Sequence, residues 1–182
     1  PTAQIMQRLA HETAEGFGNF RFAALACVEP GCPFFPSAYH AGPASLSLGL
    51  QGAGIVAEAV QKCRADKVDD NASLVRYVKE ALTEHAAPIV ELGRALAQEN
   101  ELHFGGIDLS PAPLGDDSIA AAIEGYGAGS LGAPGTLAIC AALTAALKST
   151  DLPTCGYNGL MLPVLEDATL GQRWEEGYLH IH

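Results

Sequence analysis

The sequence predicts an α/β fold with a mainly parallel sheet or barrel. Apolar segments with helical spacing alternate with short, nearly continuous apolar runs, which is typical of strands that helices cover on both faces. Turns rich in glycine and proline separate these segments, and 48% of the residues are hydrophobic, as in an ordinary globular domain. At 182 residues the chain fits one α/β domain, residues 1–182.

Helical signals recur along the chain. In the first segment Ile5, Met6 and Leu9 are spaced as on one helix face. The longest segment follows the candidate cap Asn71 and contains Pro88, so it is either two helices or one kinked helix. The predicted helices span residues 3–15, 53–64, 73–98, 118–124 and 136–148, with a last helix opened by Glu166 and Asp167, where acidic residues favour the helix dipole.

Three apolar runs are predicted to be buried strands, at residues 19–28, 102–109 and 157–165. Residues 29–36 contain three prolines and a glycine, so we expect a rigid turn after the first strand. Because active sites of α/β proteins lie at the carboxyl ends of strands, we expect functional groups in the segments that follow these runs.

Charge and cysteine usage narrow the class of protein. Ten Lys and Arg stand against 21 Asp and Glu, a formal charge of -11, which disfavours nucleic acid and anionic membranes as partners. No apolar run approaches the roughly 18 residues of a membrane span. Five cysteines without a framework spacing fit reduced thiols, so we expect a cytoplasmic protein. The expected partner is a small-molecule ligand.

Candidate catalytic and binding residues lie on the predicted strands or in the loops that follow them. Cys32 and His40 have the residue types of a thiol nucleophile and its base, while the alternative for a cysteine is apolar packing. For His103 and Asp108 the alternative is a satisfied buried histidine and a turn-capping carboxylate. The predicted catalytic set is Cys32, His40, His103 and Asp108, and the predicted substrate-binding set is Tyr39, Ser110 and Asn158.

A divalent metal ion is a further hypothesis. Asp108, Glu166 and Asp167, with the imidazole of His40 or His103, would offer oxygen and nitrogen donors for a hard or borderline cation. The alternative for the pair 166–167 is a helix start. The glycine tracts at 105–106 and 125–132 match neither a P-loop nor a dinucleotide fingerprint.

Four ordered runs resemble the domain-of-unknown-function family 711. They are residues 18–24 (GNFRFAA), 31–40 (GCPFFPSAYH), 106–113 (GIDLSPAP) and 156–167 (GYNGLMLPVLED). The resemblance implies part of a β/α barrel similar to that of the pyruvate formate-lyase type of glycyl radical enzyme, and the middle of a longer protein. No glycyl radical is expected, because the Gly-Tyr pairs at 125, 156 and 177 are not preceded by Arg-Val.

These observations leave two main functional hypotheses open, besides a structural assembly module, which would have no polar pocket. The first is an enzyme acting on a small polar metabolite at a barrel-mouth site, and the second is a non-catalytic metabolite-binding or regulatory protein. Ionisable groups within hydrogen-bond reach of each other and of one pocket would favour the enzyme. We also expect a homo-oligomer, because the small apolar residues at 120–122 and 138–146 permit close helix packing, within one chain or between chains.

Overall fold

A computed structural model gives the structure of the chain and describes residues 1–24, 26–29, 33–34, 37–127 and 129–180. Its helices are α1 (Thr2–Glu12), a 3-10 helix (Ala14–Arg21), α2 (Ala53–Ala65), α3 (Asn71–Glu99), α4 (Ile119–Gly125), α5 (Thr136–Lys148) and α6 (Ala168–Glu175). Its strands are β1 (Pro33–Phe34), β2 (Ser37–Ala38), β3 (Ser45–Gly49) and β4 (His103–Asp108). Among the helices described, none is long and apolar enough to cross a membrane.

The parallel pair of β3 and β4 organises the domain. Ser45 pairs with His103 and Gly49 with Asp108, with an irregularity between Leu46 and Ser47. The other edge of β4 meets residue 154 through a parallel bridge from Ile107. The α/β character is therefore confirmed, and the described residues form a two-stranded parallel sheet rather than a closed barrel.

Helix α3 packs against this sheet and holds the core together. Seven residues at helical spacing are buried along one face of the helix, namely Leu74, Val78, Leu82, Ala86, Val90, Gly93 and Ala97. That face contacts α2, α5 and both strands of the parallel pair. The side chain of Asp70 caps the helix by accepting a hydrogen bond of 2.9 Å from the backbone N–H of Ser73.

The contact between α3 and the sheet requires a glycine. A Cβ atom at Gly93 would lie 2.6 Å from Leu48 Cδ1 and 2.7 Å from Phe104 Cε2, one residue on each strand. Such distances are far inside van der Waals contact, so a larger residue would force Leu48 and Phe104, or the helix itself, to shift.

Gly93→Ala is accordingly expected to lower the free energy of unfolding by about 1–3 kcal/mol, measured by urea denaturation. Gly125→Ala is the matched control, because a Cβ atom at Gly125 would meet nothing within 4 Å. Equal stability of the two variants would contradict the close-approach argument.

Most helix predictions are confirmed. Residues 53–64, 118–124 and 136–148 form α2, α4 and α5, and the segment predicted at 73–98 is the single helix α3 with Pro88 inside it. The last helix begins after Asp167, as expected. The first helix ends three residues early, at Glu12, where Thr13 turns extended and its hydroxyl donates to the Leu9 carbonyl at 2.6 Å.

The strand predicted at residues 19–28 is wrong. The 3-10 helix continues to Arg21, and residues 22–24 and 26–29 carry no strand. Glu15 and Gly16 adopt positive φ, which turns the chain before the apolar run begins. A strand needs a partner strand, and no described strand pairs with this run, so its β propensity does not lead to a strand. The expected rigid turn contains β1, which pairs antiparallel with β2 directly after the turn, and residues 30–32 and 35–36 lie outside the described part.

The strand predicted at residues 157–165 is also wrong, whereas that at 102–109 is confirmed as β4. Asn158 has a φ of 45°, which no strand residue adopts, and the backbone N–H groups at 157 and 158 bind a side chain instead of a neighbouring strand. Strand β3 was not predicted, although its sequence Ser-Leu-Ser-Leu-Gly alternates with the period of a strand.

Candidate functional site

A buried carboxylate lies at the carboxyl end of the parallel pair. Asp108 is the last residue of β4 and is 8% exposed. Its Oδ1 accepts hydrogen bonds from Ser110 N at 2.9 Å, Ser110 Oγ at 2.6 Å and Asn158 N at 3.1 Å. Its Oδ2 accepts one from Tyr157 N at 2.9 Å. The negative charge is thus satisfied by three backbone amides and one hydroxyl.

Ser110 and Asn158 extend this network. The Asn158 amide oxygen accepts a hydrogen bond of 3.3 Å from Leu109 N, and Ser110 Oγ accepts one of 3.1 Å from Gly159 N. Both side chains are buried. The two residues that follow Asp108 are therefore hydrogen-bonded to the turn at 156–159, one as donor and one as acceptor. We call the side chains of Asp108, Ser110 and Asn158 the Asp108 network.

The turn at 156–159 has the residues that its conformation needs. Gly156 and Asn158 have φ angles of 69° and 45°, in the left-handed region that glycine and asparagine tolerate best. This conformation aims successive N–H groups at one carboxylate, a concave arrangement suited to a negative charge. The turn receives the Asp108 carboxylate because these residues allow it to curl.

A second buried carboxylate links two helices. Asp167 is 2% exposed; its Oδ1 accepts from Ser118 Oγ at 2.6 Å and from Leu170 N at 3.1 Å, and its Oδ2 accepts from Ala120 N at 3.2 Å. Ser118 in turn caps α4 by accepting from Ala121 N at 2.9 Å. Asp167 therefore caps α6 and binds the first turn of α4 at the same time.

An ion pair joins α4 and α6 again near their carboxyl ends. Arg173 donates to both carboxylate oxygens of Glu124, at 2.7 and 2.9 Å, and Leu131 N donates to Glu124 Oε1 at 2.7 Å. The hydrogen bonds from Arg173 hold the pKa of Glu124 below its usual range, against the opposing effect of burial. Arg173 also binds Glu176, and the two carboxylates raise the pKa of the guanidinium.

The structure separates the predicted histidines from the Asp108 network. His103 is the first residue of β4, five residues from Asp108, which places their backbones about 16 Å apart at about 3.3 Å per residue. Tyr39 and His40 are exposed and precede the amino end of β3. The residues brought together directly are Asp108, Ser110 and Asn158, which were predicted as one catalytic and two binding residues.

The predicted pair of a thiol and a base consists of Cys32 and His40. Cys32 lies outside the described residues, so its proposed pairing with His40 stays a prediction. Burial raises the pKa of the Cys63 and Cys140 thiols, which disfavours the reactive thiolate at both positions.

The predicted metal ligands belong to different places. Asp108 lies in its own network, Asp167 lies between α4 and α6, and Glu166 is exposed. No three His, Cys, Asp or Glu side chains in the described ranges are grouped to hold a metal ion. The metal hypothesis stays a prediction for chelation experiments.

Sequence reasoning missed the pair of Glu124 and Arg173 and the cap at Ser118. Glu124 and Arg173 are 49 residues apart, and no local pattern connects them. Ser118 did carry a signal, because a serine directly before an apolar helical run is a common N-cap.

These features define the chain as an α/β segment whose buried carboxylates fix the turns around a parallel strand pair. The chain belongs to the family described as Uncharacterised ACR (DUF711), whose family model matches residues 1–182. The resemblance of the four sequence runs is thereby confirmed.

Relatives in the family carry the name UPF0210 protein. One from Pyrobaculum islandicum is 34% identical over 172 residues, covering 87% of this chain and 37% of the relative. One from Clostridium beijerinckii is 31% identical over 181 residues, covering 91% and 39%, and one from Bifidobacterium adolescentis is 29% identical over 192 residues, covering 97% and 41%. The chain thus spans about two fifths of the length of these curated relatives. No solved structure matches the chain significantly.

Removing the charge of Asp108 should unfold the carboxyl end of the sheet. Asp108→Asn puts an amide where four donors converge, so we expect a loss of about 3 kcal/mol in the free energy of unfolding, measured with urea. Asp116→Asn changes an exposed carboxylate nearby and should leave stability within about 0.5 kcal/mol of the unmodified chain. Similar losses in both variants would argue against the network.

Acid should break the link between Glu124 and Arg173. Because the pKa of Glu124 is lower in the folded chain than its reference value of 4.5, its stabilising effect is complete above that pH and disappears as the pH falls through the lower folded value. Glu124→Gln should lower the urea midpoint near neutral pH and flatten its decline below about pH 4.5. The control is Glu91→Gln, because Glu91 forms an ion pair of 3.7 Å with Arg94 and 72% of its side chain is exposed. This variant should leave the acid profile unchanged. Parallel acid profiles for all three proteins would be the contrary result.

Proposed function

We propose that the carboxyl end of β3 and β4 forms part of a binding site for a small polar metabolite, and that the longer polypeptide of this family is an enzyme acting on that metabolite without glycyl radical chemistry. The observation that carries the proposal is the Asp108 network. Burying a carboxylate costs several kcal/mol unless donors surround it. A buried carboxylate at the carboxyl end of a parallel strand pair lies where ligands of such sheets bind, which supports a ligand site there.

Residues of the Asp108 network are proposed to position groups rather than to react. Asp108 Oδ1 accepts three hydrogen bonds, whereas Oδ2 accepts a single one from the described residues, donated by Tyr157 N. A carboxylate oxygen has two lone pairs, so Oδ2 has room for one more donor, such as a ligand hydroxyl or ammonium group. The acidic charge of -11 fits a neutral or cationic ligand better than a polyanion.

The parallel pair is proposed to belong to a larger β/α sheet or barrel in the longer polypeptide. Two observations support this: β4 has a strand on one edge and a parallel bridge to residue 154 on the other, and relatives are more than twice the length of this chain. In such a sheet the carboxyl ends of several strands would meet at one mouth, and the rest of the polypeptide would supply reacting groups.

The alternative is a non-catalytic metabolite-binding protein. It is favoured by the separation of His103 from the Asp108 network, because the two lie at opposite ends of β4. The two functions differ in turnover: the enzyme consumes the metabolite that it binds, whereas the binding protein returns it unchanged.

Ligand-induced stabilisation tests the proposal. The chain and the full-length Clostridium beijerinckii relative are heated with a panel of amino acids, hydroxy acids and sugars, with and without a chelator and a divalent metal. A ligand at about 100 times its Kd should raise Tm by about 5 °C or more.

The site of any stabilising ligand follows from matched variants. Asp108→Asn should abolish the rise relative to its own unliganded Tm, and the exposed-site variant Asp116→Asn should keep it. A ligand that stabilises both variants equally binds elsewhere, and a panel without effect on either protein would refute a site for these classes of metabolite.

A further inference from the structure

Helix α5 is apolar on both of its faces. Its inner face is buried in the core through Ile139, Ala142, Leu143, Ala146 and Leu147. Its outer face carries Leu137, which is 82% exposed, with Cys140, Ala141 and Ala145, and its polar residues are Thr144 and Lys148 towards the carboxyl end. A helix that is mostly apolar on both faces is expected to be covered on both, but the described chain covers only one side of α5.

A groove runs between the outer face of α5 and the segment at 160–162. Leu137, Cys140, Ala141, Thr144, Leu160 and Leu162 contribute to its walls, and its volume is about 520 Å³. We call it the α5 groove. Just beyond it Leu165 is 98% exposed, which extends the apolar surface along the chain. Clustered exposed leucines of this kind mark an interaction surface.

The segment beside the α5 groove has the composition of a buried strand. Its sequence from 159 to 165 is Gly-Leu-Met-Leu-Pro-Val-Leu, and it pairs with no described strand. The preference of these residues for a buried strand therefore disagrees with their unpaired environment, whereas the sequences of α2, α3 and α4 agree with the structure that they adopt. The disagreement would be removed by a neighbour that supplies an apolar surface and backbone partners.

We propose that the α5 groove and residues 159–165 are the docking surface for the part of the family's longer polypeptide that lies outside the region matched by this chain. That part makes up about three fifths of the relatives, which is ample to cover the surface. A second copy of the chain is a poorer occupant. A helix face of 13 residues is about 20 Å long and 10 Å wide, well below the roughly 800 Å² per partner of a stable dimer.

Cys140 reports on the α5 groove directly, because its thiol lies in the wall and is only half-buried. The experiment first determines the intact mass of the natural polypeptide that carries this sequence. It then compares that polypeptide with the recombinant 182-residue chain for the rate of alkylation of Cys140 and for hydrogen exchange in residues 159–165. We expect both rates to be at least about tenfold lower in the longer polypeptide. Cys63 is fully buried in the chain and should react slowly in both.

A variant links the protection to the docking surface. Leu137→Gln should restore alkylation of Cys140 in the longer polypeptide, and it should not change the stability of the 182-residue chain, where Leu137 is 82% exposed. If the variant of the longer polypeptide does not fold, the comparison of the two unmodified proteins still decides.

Three outcomes would overturn the proposal. The first is a natural polypeptide of 18.9 kDa, which has no further part to dock. The second is equal alkylation of Cys140 in both proteins. The third is protection of Cys140 in the 182-residue chain that rises with protein concentration, which would make a second copy the occupant.

Discussion

The buried negative charge of Asp108 is the constraint on which the carboxyl end of the sheet depends. A carboxylate that is 8% exposed must be surrounded by hydrogen-bond donors. The residues of β4 donate none to the Asp108 carboxylate, so the donors come from segments outside the strand. Two of the donors come from the backbone about 50 residues later, at Tyr157 and Asn158. The chain must therefore return over the strand end, and it must curl there through left-handed residues to present successive N–H groups.

This requirement explains why local sequence preference was overruled at residues 157–165. The apolar run is typical of a buried strand, but a strand would send alternate N–H groups to opposite edges and could not aim two neighbouring ones at one carboxylate. The same network was visible in part from the sequence, since Asp108 and Ser110 were expected at the end of one strand, whereas Asn158 was expected near the start of another. Their residue types indicated a polar site. The hydrogen bonds between them could not be predicted, because they join residues that are 49 and 50 positions apart in the sequence.

Helices were easier to predict than strands for a physical reason. Long amphipathic patterns such as α3 carry many independent signals, whereas a strand of five or six residues needs a partner that the local sequence does not specify. The separation of His103 from Asp108 was derivable, because residues five apart on an extended strand lie at its opposite ends. The pair of Glu124 and Arg173 was not, because both residues look like ordinary surface charges until α4 and α6 meet.

The double connection between α4 and α6 makes them one cooperative unit. Asp167 binds the amino ends of both helices, and Glu124 and Arg173 join them again further along. If α6 detaches, α4 loses a partner at Ala120 N and its glutamate is left without its counter-ion, so the opening of one helix raises the energy of the other. Such coupling merges two short helices, each marginal alone, into a single folding unit with one shared opening equilibrium. The two helices are therefore expected to open together, whereas either helix alone would unfold one turn at a time from its ends.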